Sequence, residues 1–241
     1  MSDSSQLSNF NPTATGGSVS FLSLPGELRN TIYEIILLQS EPIDPWLRYG
    51  LQVPTGLFCV SKTVHREASL LFYSQNRLDF GGRDPEKLAS FLKQIGPRNA
   101  KSIQHIIIDF PEFLYLDPGD VTIEEKSLSI LGSIMSSCTG LITLKTSLYS
   151  TSSMELRLDN LDHFNLATEA LHLVDTHFRA MPSLSEIILE PYYTQIQLQP
   201  RRPGQQDTML ATLGLRAPEQ VIVVLAGCYP PHEAFGMQIP F

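Results

Sequence analysis

Three short segments rich in β-branched and aliphatic residues each follow a helix-patterned stretch, and this alternation constrains the fold more than any other feature. The segments are Ile103-Gln104-His105-Ile106-Ile107-Ile108, Leu141-Ile142-Thr143-Leu144-Lys145-Thr146 and Leu184-Ser185-Glu186-Ile187-Ile188-Leu189. They share apolar residues at the first and fourth positions, and at the sixth carry Ile108, Thr146 and Leu189. Their starts lie 38 and 43 residues apart, and Val221, which opens a further apolar run to Leu225, comes 37 later. Such a weak internal repeat of helix–strand units predicts parallel strands laid side by side with connections of one hand.

The intervening helices carry apolar residues at helical spacing. Asp84-Pro85 opens one with Leu88, Phe91, Leu92 and Ile95 on one face, and Gly96-Pro97 predicts its end. A second, at 124–138, places Leu128, Leu131, Ile134, Met135 and Cys138 on one side. A third, at 163–180, carries Phe164, Ala167, Leu171, Val174 and Phe178. A short helix is expected over 208–213. The fold class is therefore mixed, α+β or α/β, with two forms open. In a leucine-rich-like arc, His105, Ile107, Asp109, Thr143, Lys145, Ser147, Glu186, Ile188 and Glu190 line an exposed concave face. In an ordinary open α/β sheet covered on both faces, Ile107 and Ile188 are buried.

The N-terminal third reads differently. Residues 1–19 are rich in Ser, Asn, Thr and Gly and predict a disordered tail. A helix is expected over 24–38, with Pro25 at its first position, Ser23 or Leu24 at the cap and Glu27 in the first turn. Leu28, Ile32, Ile35 and Ile36 form one apolar stripe on it, and Tyr33 and Leu37 a second edge. A Pro-rich connection containing Trp46 and Tyr49 follows, its aromatics expected against the helices. A second helix is expected over 57–73, with Leu57, Val60, Val64, Ala68 and Leu71 on one face, and a short strand over 76–80. The organisation expected is a tail over 1–19, a helical module over 20–80 and a helix–strand region over 81–241.

Charge and cysteine content exclude several classes of function. The net charge of −8 argues against nonspecific nucleic-acid binding, which depends on Lys and Arg neutralising phosphates. The pair Arg201-Arg202 reads as a solvated loop. Cys59, Cys138 and Cys228 are sparse and odd in number, which suits free thiols in a reducing compartment. With no secretory pattern and no membrane-length apolar run, the expected location is cytoplasm or nucleus.

Catalytic patterns are scarce. The chain lacks a Gly-x-Ser-x-Gly elbow, a phosphate-binding Gly-x-x-x-x-Gly-Lys loop, a Gly-x-Gly-x-x-Gly turn and a His-Glu-x-x-His pair. His163, His172, Asp175 and His177 form the densest polar cluster. On a helix, however, His172 and His177 lie about 140° apart and do not share a metal. Cys59 and His65 lie about 240° apart on a common helix and form no nucleophile–base pair. Glu124-Glu125 reads as a first helical turn, and Gly81-Gly82-Arg83 as a turn. The expectation is a protein without enzymatic activity and without a cofactor or metal, although an unrecognised hydrolase or transferase site around His105 or His172 is a third reading.

The stretch Leu24-Pro25-x-Glu27-Leu28-Arg29-x-x-Ile32-Tyr33-Glu34-x-Ile36-Leu37 resembles the first helix of an F-box. Val60-Ser61-Lys62, with Arg66-Glu67-Ala68 and Leu71-Phe72-Tyr73 behind it, looks like the second half of that module. Together they resemble a large, mostly uncharacterised group of fungal F-box-like proteins, over roughly residues 21–80. The connection over 39–56 is longer than in a compact F-box, and no tryptophan follows Val60-Ser61-Lys62. The resemblance implies docking on the adaptor Skp1 of a cullin-based ubiquitin ligase, with the rest of the chain presenting a client. It implies Leu24, Pro25, Leu28, Ile32, Ile36, Val60 and Lys62 as docking residues. The client-binding face expected beside them is His105, Asp109, Lys145, Glu186 and Glu190. The alternative is a single-domain structural or interaction module in which the F-box-like helices serve only as core.

Overall fold

The computed structural model describes residues 20–47, 55–161, 164–189 and 222–225. The expectations for the tail, Tyr49, the 208–213 helix, Glu190, Arg201-Arg202 and Cys228 lie outside these residues.

Five parallel strands form the main sheet in simple sequential order: β1 (Arg77–Asp79), β2 (His105–Ile108), then β5 (Thr143–Thr146), β6 (Glu186–Leu189) and β7 (Ile222–Leu225). The repeat seen in the sequence appears as register: His105 is paired with Thr143, Thr143 with Glu186, and Glu186 with Ile222. Between the strands run α3 (Pro85–Ser102), α4 (Glu125–Ser137), α5 (Leu148–Asp159) and α6 (Phe164–Arg179).

All four helices lie on one face of the sheet. Ile106, Ile108, Leu144, Ile187 and Leu189 share a core with Leu88, Leu131, Ile134, Met154, Leu171 and Val174. Side chains one residue out of step, at 105, 107, 143, 145, 186 and 188, point to the other face. There, Ile188 is half-buried, whereas Ile107 is only 6% exposed. Ile107 nevertheless stands outside the helix-facing core; it sits in register between Asp79 and Lys145, in the middle of its row. The fold is thus mixed α/β with a parallel sheet covered by helices on one side.

The N-terminal module joins this sheet at its edge. α1 (Gly26–Leu37) and α2 (Lys62–Gln75) pack on each other through Tyr33, Leu37, Val64, Ala68 and Leu71, a cluster separate from the main core. β1 follows α2 directly. Ile43, in the Pro-rich connection, pairs with Leu78 on the outer side of β1, its N–H donating to the Arg77 carbonyl at 2.8 Å. This contact covers part of an otherwise open strand edge. As expected, Trp46 packs inward, 5.8 Å from Phe80 and 5.5 Å from Phe91 between ring centres. Arg83 lies over its ring at 5.0 Å and pairs with Asp44.

Several boundaries differ from the sequence expectation. Pro25 is the N-cap rather than the first helical residue, because a tight turn at Phe21–Ser23 leaves Leu24 and Pro25 extended before the helix. Neither Ser23 nor Leu24 caps α1. The expected 57–73 helix is split: Thr55–Cys59 form a 3-10 turn, and the α-helix starts only after Ser61. Ser61 is extended and its hydroxyl accepts the Val64 N–H at 3.2 Å, so the serine caps instead of continuing the helix. Gly96-Pro97 kinks α3 without ending it. Gly96 adopts φ 81°, ψ 161°, a conformation open essentially to glycine alone, and Pro97 restarts the helix.

Three elements were not anticipated from the sequence. β3 (Phe113–Asp117) and β4 (Asp120–Ile123) form an antiparallel hairpin, signalled by the turn sequence Asp117-Pro118-Gly119-Asp120. α5 is hidden in a serine-rich stretch, where Ser147 caps it by accepting the Ser150 N–H at 3.4 Å.

Candidate partner-docking site

α1 is apolar around most of its girth, and its packing on α2 leaves one side uncovered. Taking Leu28 as the origin, helical geometry puts Ile35, Ile32 and Ile36 within about 80° of it, and Tyr33 and Leu37 about 140–180° away. The narrower Tyr33–Leu37 edge is the buried one; both side chains are fully enclosed. The wider stripe faces outward: Leu28 is 52% exposed, Ile35 78% and Ile36 36%, with Ile32 half-buried.

A polar brace sets this rotation of the helix. Arg29 lies about 100° round from Leu28, between the wet stripe and the buried edge. Its Nε and Nη2 donate to the two carboxylate oxygens of Glu67 on α2, at 2.9 and 2.7 Å. The Tyr33 hydroxyl donates to the same carboxylate at 3.1 Å. Arg29 Nη1 reaches back to the Leu24 carbonyl at 2.5 Å, tying down the chain before the helix. The Arg29 hydrogen bonds hold the Glu67 carboxyl below its usual range. Burial and the bond to Glu67 push the Tyr33 phenol upward. At the other end of the helix, the Asn76 amide donates to the Leu37 carbonyl at 3.1 Å and accepts the Gln39 N–H at 2.9 Å. The α1–α2 pair is therefore fastened at both ends.

Of the expected docking residues, Leu28, Ile32 and Ile36 share the open stripe, with Pro25 exposed and Leu24 half-buried just before it. Val60, 65% exposed, and Lys62 stand at the entry to α2, apart from that stripe. Ile35 is the most exposed of the apolar residues on α1 and lies on the same open stripe; its signal in the sequence was its place on the Leu28–Ile32 stripe.

The sheet face away from the helices is largely polar but not exposed as an arc would have it: Thr143, like Ile107, is buried, and His105, Lys145, Glu186 and Ile188 are half-buried. Arg77, His105, Thr143 and Glu186 form one row across four strands, and Thr143 donates to Glu186 at 2.9 Å. Burial lowers the proton affinity of His105; nearby Glu186 opposes this and Arg77 adds to it. Lys145 lies one row further on, beside Ile107 and Ile188. Asp109 has a structural role. Its carboxylate accepts the Gly82 N–H at 2.6 Å and the Ser147 hydroxyl at 2.7 Å, joining the turn after β1 to the cap of α5. On α6, Asp175 accepts from Arg179 at 2.6 Å. Among the described residues, no group of three or more metal-ligating side chains converges. No helix among them is long and apolar enough to cross a membrane. No family model, curated protein or solved structure matches the chain.

Proposed function

We propose that this chain is a non-enzymatic, F-box-like interaction protein whose α1–α2 module docks on a Skp1-type adaptor while the polar side of the sheet receives a client. The observation that carries the reading is the apolar stripe Leu28–Ile35–Ile36, exposed on a helix that is already held in place from its other side. A helix that needed its apolar residues only for the core would turn the wider stripe inward. The reading in which the helices serve only as core leaves these side chains without a purpose. The motif residues divide accordingly: Arg29, Tyr33 and Glu67 brace the pair, and Leu28, Ile32 and Ile36 are left for a partner. His105, Lys145 and Glu186 supply the polar surface for a client, in cytoplasm or nucleus.

The test is co-purification with a Skp1-type adaptor, followed by size-exclusion chromatography and calorimetry. The wild-type chain co-elutes with the adaptor, and Leu28→Asp or Ile35→Asp abolishes co-elution while leaving the thermal midpoint in place. Separate elution of the wild-type chain, or undiminished binding by both variants, overturns the proposal.

A further inference from the structure

On the side of α2 away from α1 lies a groove of about 680 Å³, between the Thr55–Cys59 turn, α2 and the kinked end of α3. Helical geometry places Arg66 about 200° round from Val64, so this groove and the α1 contact occupy opposite faces of α2. Lys62 and Arg66 from α2 and Arg98 from beyond the α3 kink line it, with Phe58 and Leu70 as its apolar surface and His65 beside them. Among the described residues, no carboxylate lines the groove, although Asp and Glu outnumber Lys and Arg by 25 to 17 in the chain. Among the described residues, Lys62, Arg66 and Arg98 make no ion pair.

Concentrated cations in an otherwise acidic chain attract an anionic partner, which the acidic surface elsewhere repels. The volume suits a few side chains of a peptide, and Phe58 and Leu70 offer an apolar seat that a bare phosphate would not use. We infer that this groove binds an acidic peptide segment of a partner protein, with an apolar side chain between Phe58 and Leu70 and carboxylates toward Lys62, Arg66 and Arg98. The site is separate from the α1 stripe and stands whether or not an adaptor docks there.

The experiment is fluorescence anisotropy on the full chain with a labelled peptide in which glutamates flank a central leucine. The same peptide with glutamines in place of the glutamates is the control. The glutamate peptide binds roughly tenfold or more tightly than the control, and its affinity falls as salt is added. The double variant Arg66→Glu, Arg98→Glu loses this binding, the milder Arg66→Gln weakens it, and Leu28→Asp leaves it unchanged. Thermal unfolding of each variant separates loss of the site from loss of the fold; if the double variant does not fold, Arg66→Gln decides. Equal binding of the two peptides, no binding by the wild-type chain, or undiminished binding by the folded arginine variants overturns the inference. Displacement of the peptide by a single-stranded oligonucleotide that itself binds more tightly overturns it as well.

Discussion

Arg29 and Glu67 meet in a two-bond ion pair at 2.7 and 2.9 Å, although 38 residues separate them in the chain. Both are partly shielded, at 15% and 23% side-chain exposure, and Tyr33 completes the cluster. Planar, two-point pairing of this kind fixes orientation more strongly than a single surface ion pair. It determines which side of α1 meets α2.

Glu67→Gln keeps the shape and removes the charge. Because the folded-state carboxyl lies below its ordinary value of 4.5, its contribution is present above that pH and is lost as pH falls through the folded value. The variant is expected to unfold about 2–4 °C lower at neutral pH. The deficit should shrink in acid, as followed by circular dichroism across a pH series. An equal deficit in acid and at neutral pH contradicts this role for Glu67.

The two apolar edges of α1 should respond oppositely to substitution. Leu37→Ala opens a cavity in the α1–α2 core and is expected to cost about 2–5 kcal/mol. Ile35→Asp, on the exposed stripe, is expected to change stability by no more than about 0.5 kcal/mol. Urea titrations of both variants measure the contrast, and a large loss from Ile35→Asp would place that side chain inside.

The cysteines should differ in reactivity. Burial pushes the Cys138 thiol up to about 12, while Cys59 is exposed. In a Cys228→Ser background, iodoacetamide at mildly alkaline pH should label Cys59 and spare Cys138 until denaturant is added. Peptide mass spectrometry distinguishes the two sites.

His105 should titrate below its ordinary value of 6.5 in the folded chain, because burial disfavours the imidazolium. The unfolded chain then takes up this proton first, so the His105 contribution lowers stability as pH falls below about 6.5. NMR titration of the imidazole proton measures the midpoint directly. A value at or above 6.5 would mean that Glu186 outweighs burial.

Local pattern was enough for the elements that repeat. Leu88 and Leu92 on α3, Leu131 and Ile134 on α4, and Leu171 and Val174 on α6 are buried as their spacing implied, and the strands pair in the expected parallel sense. Serine and glycine produced three of the misses. Ser61 interrupts an apolar pattern by capping, Ser147 starts a helix within a polar stretch, and Gly96 bends a helix that its neighbours continue. In each case one residue's hydrogen bond or backbone freedom prevails over the surrounding periodicity.

By itself, then, the sequence determined which residues share a face: Leu28 with Ile32, Ile35 and Ile36, and Tyr33 with Leu37. Only the tertiary structure decided which face is dry. Periodicity relates residues on one helix to each other, whereas burial depends on a partner elsewhere in the chain. Glu67 and the Val64–Ala68–Leu71 edge of α2 hold the smaller apolar edge of α1, and the larger one remains in water.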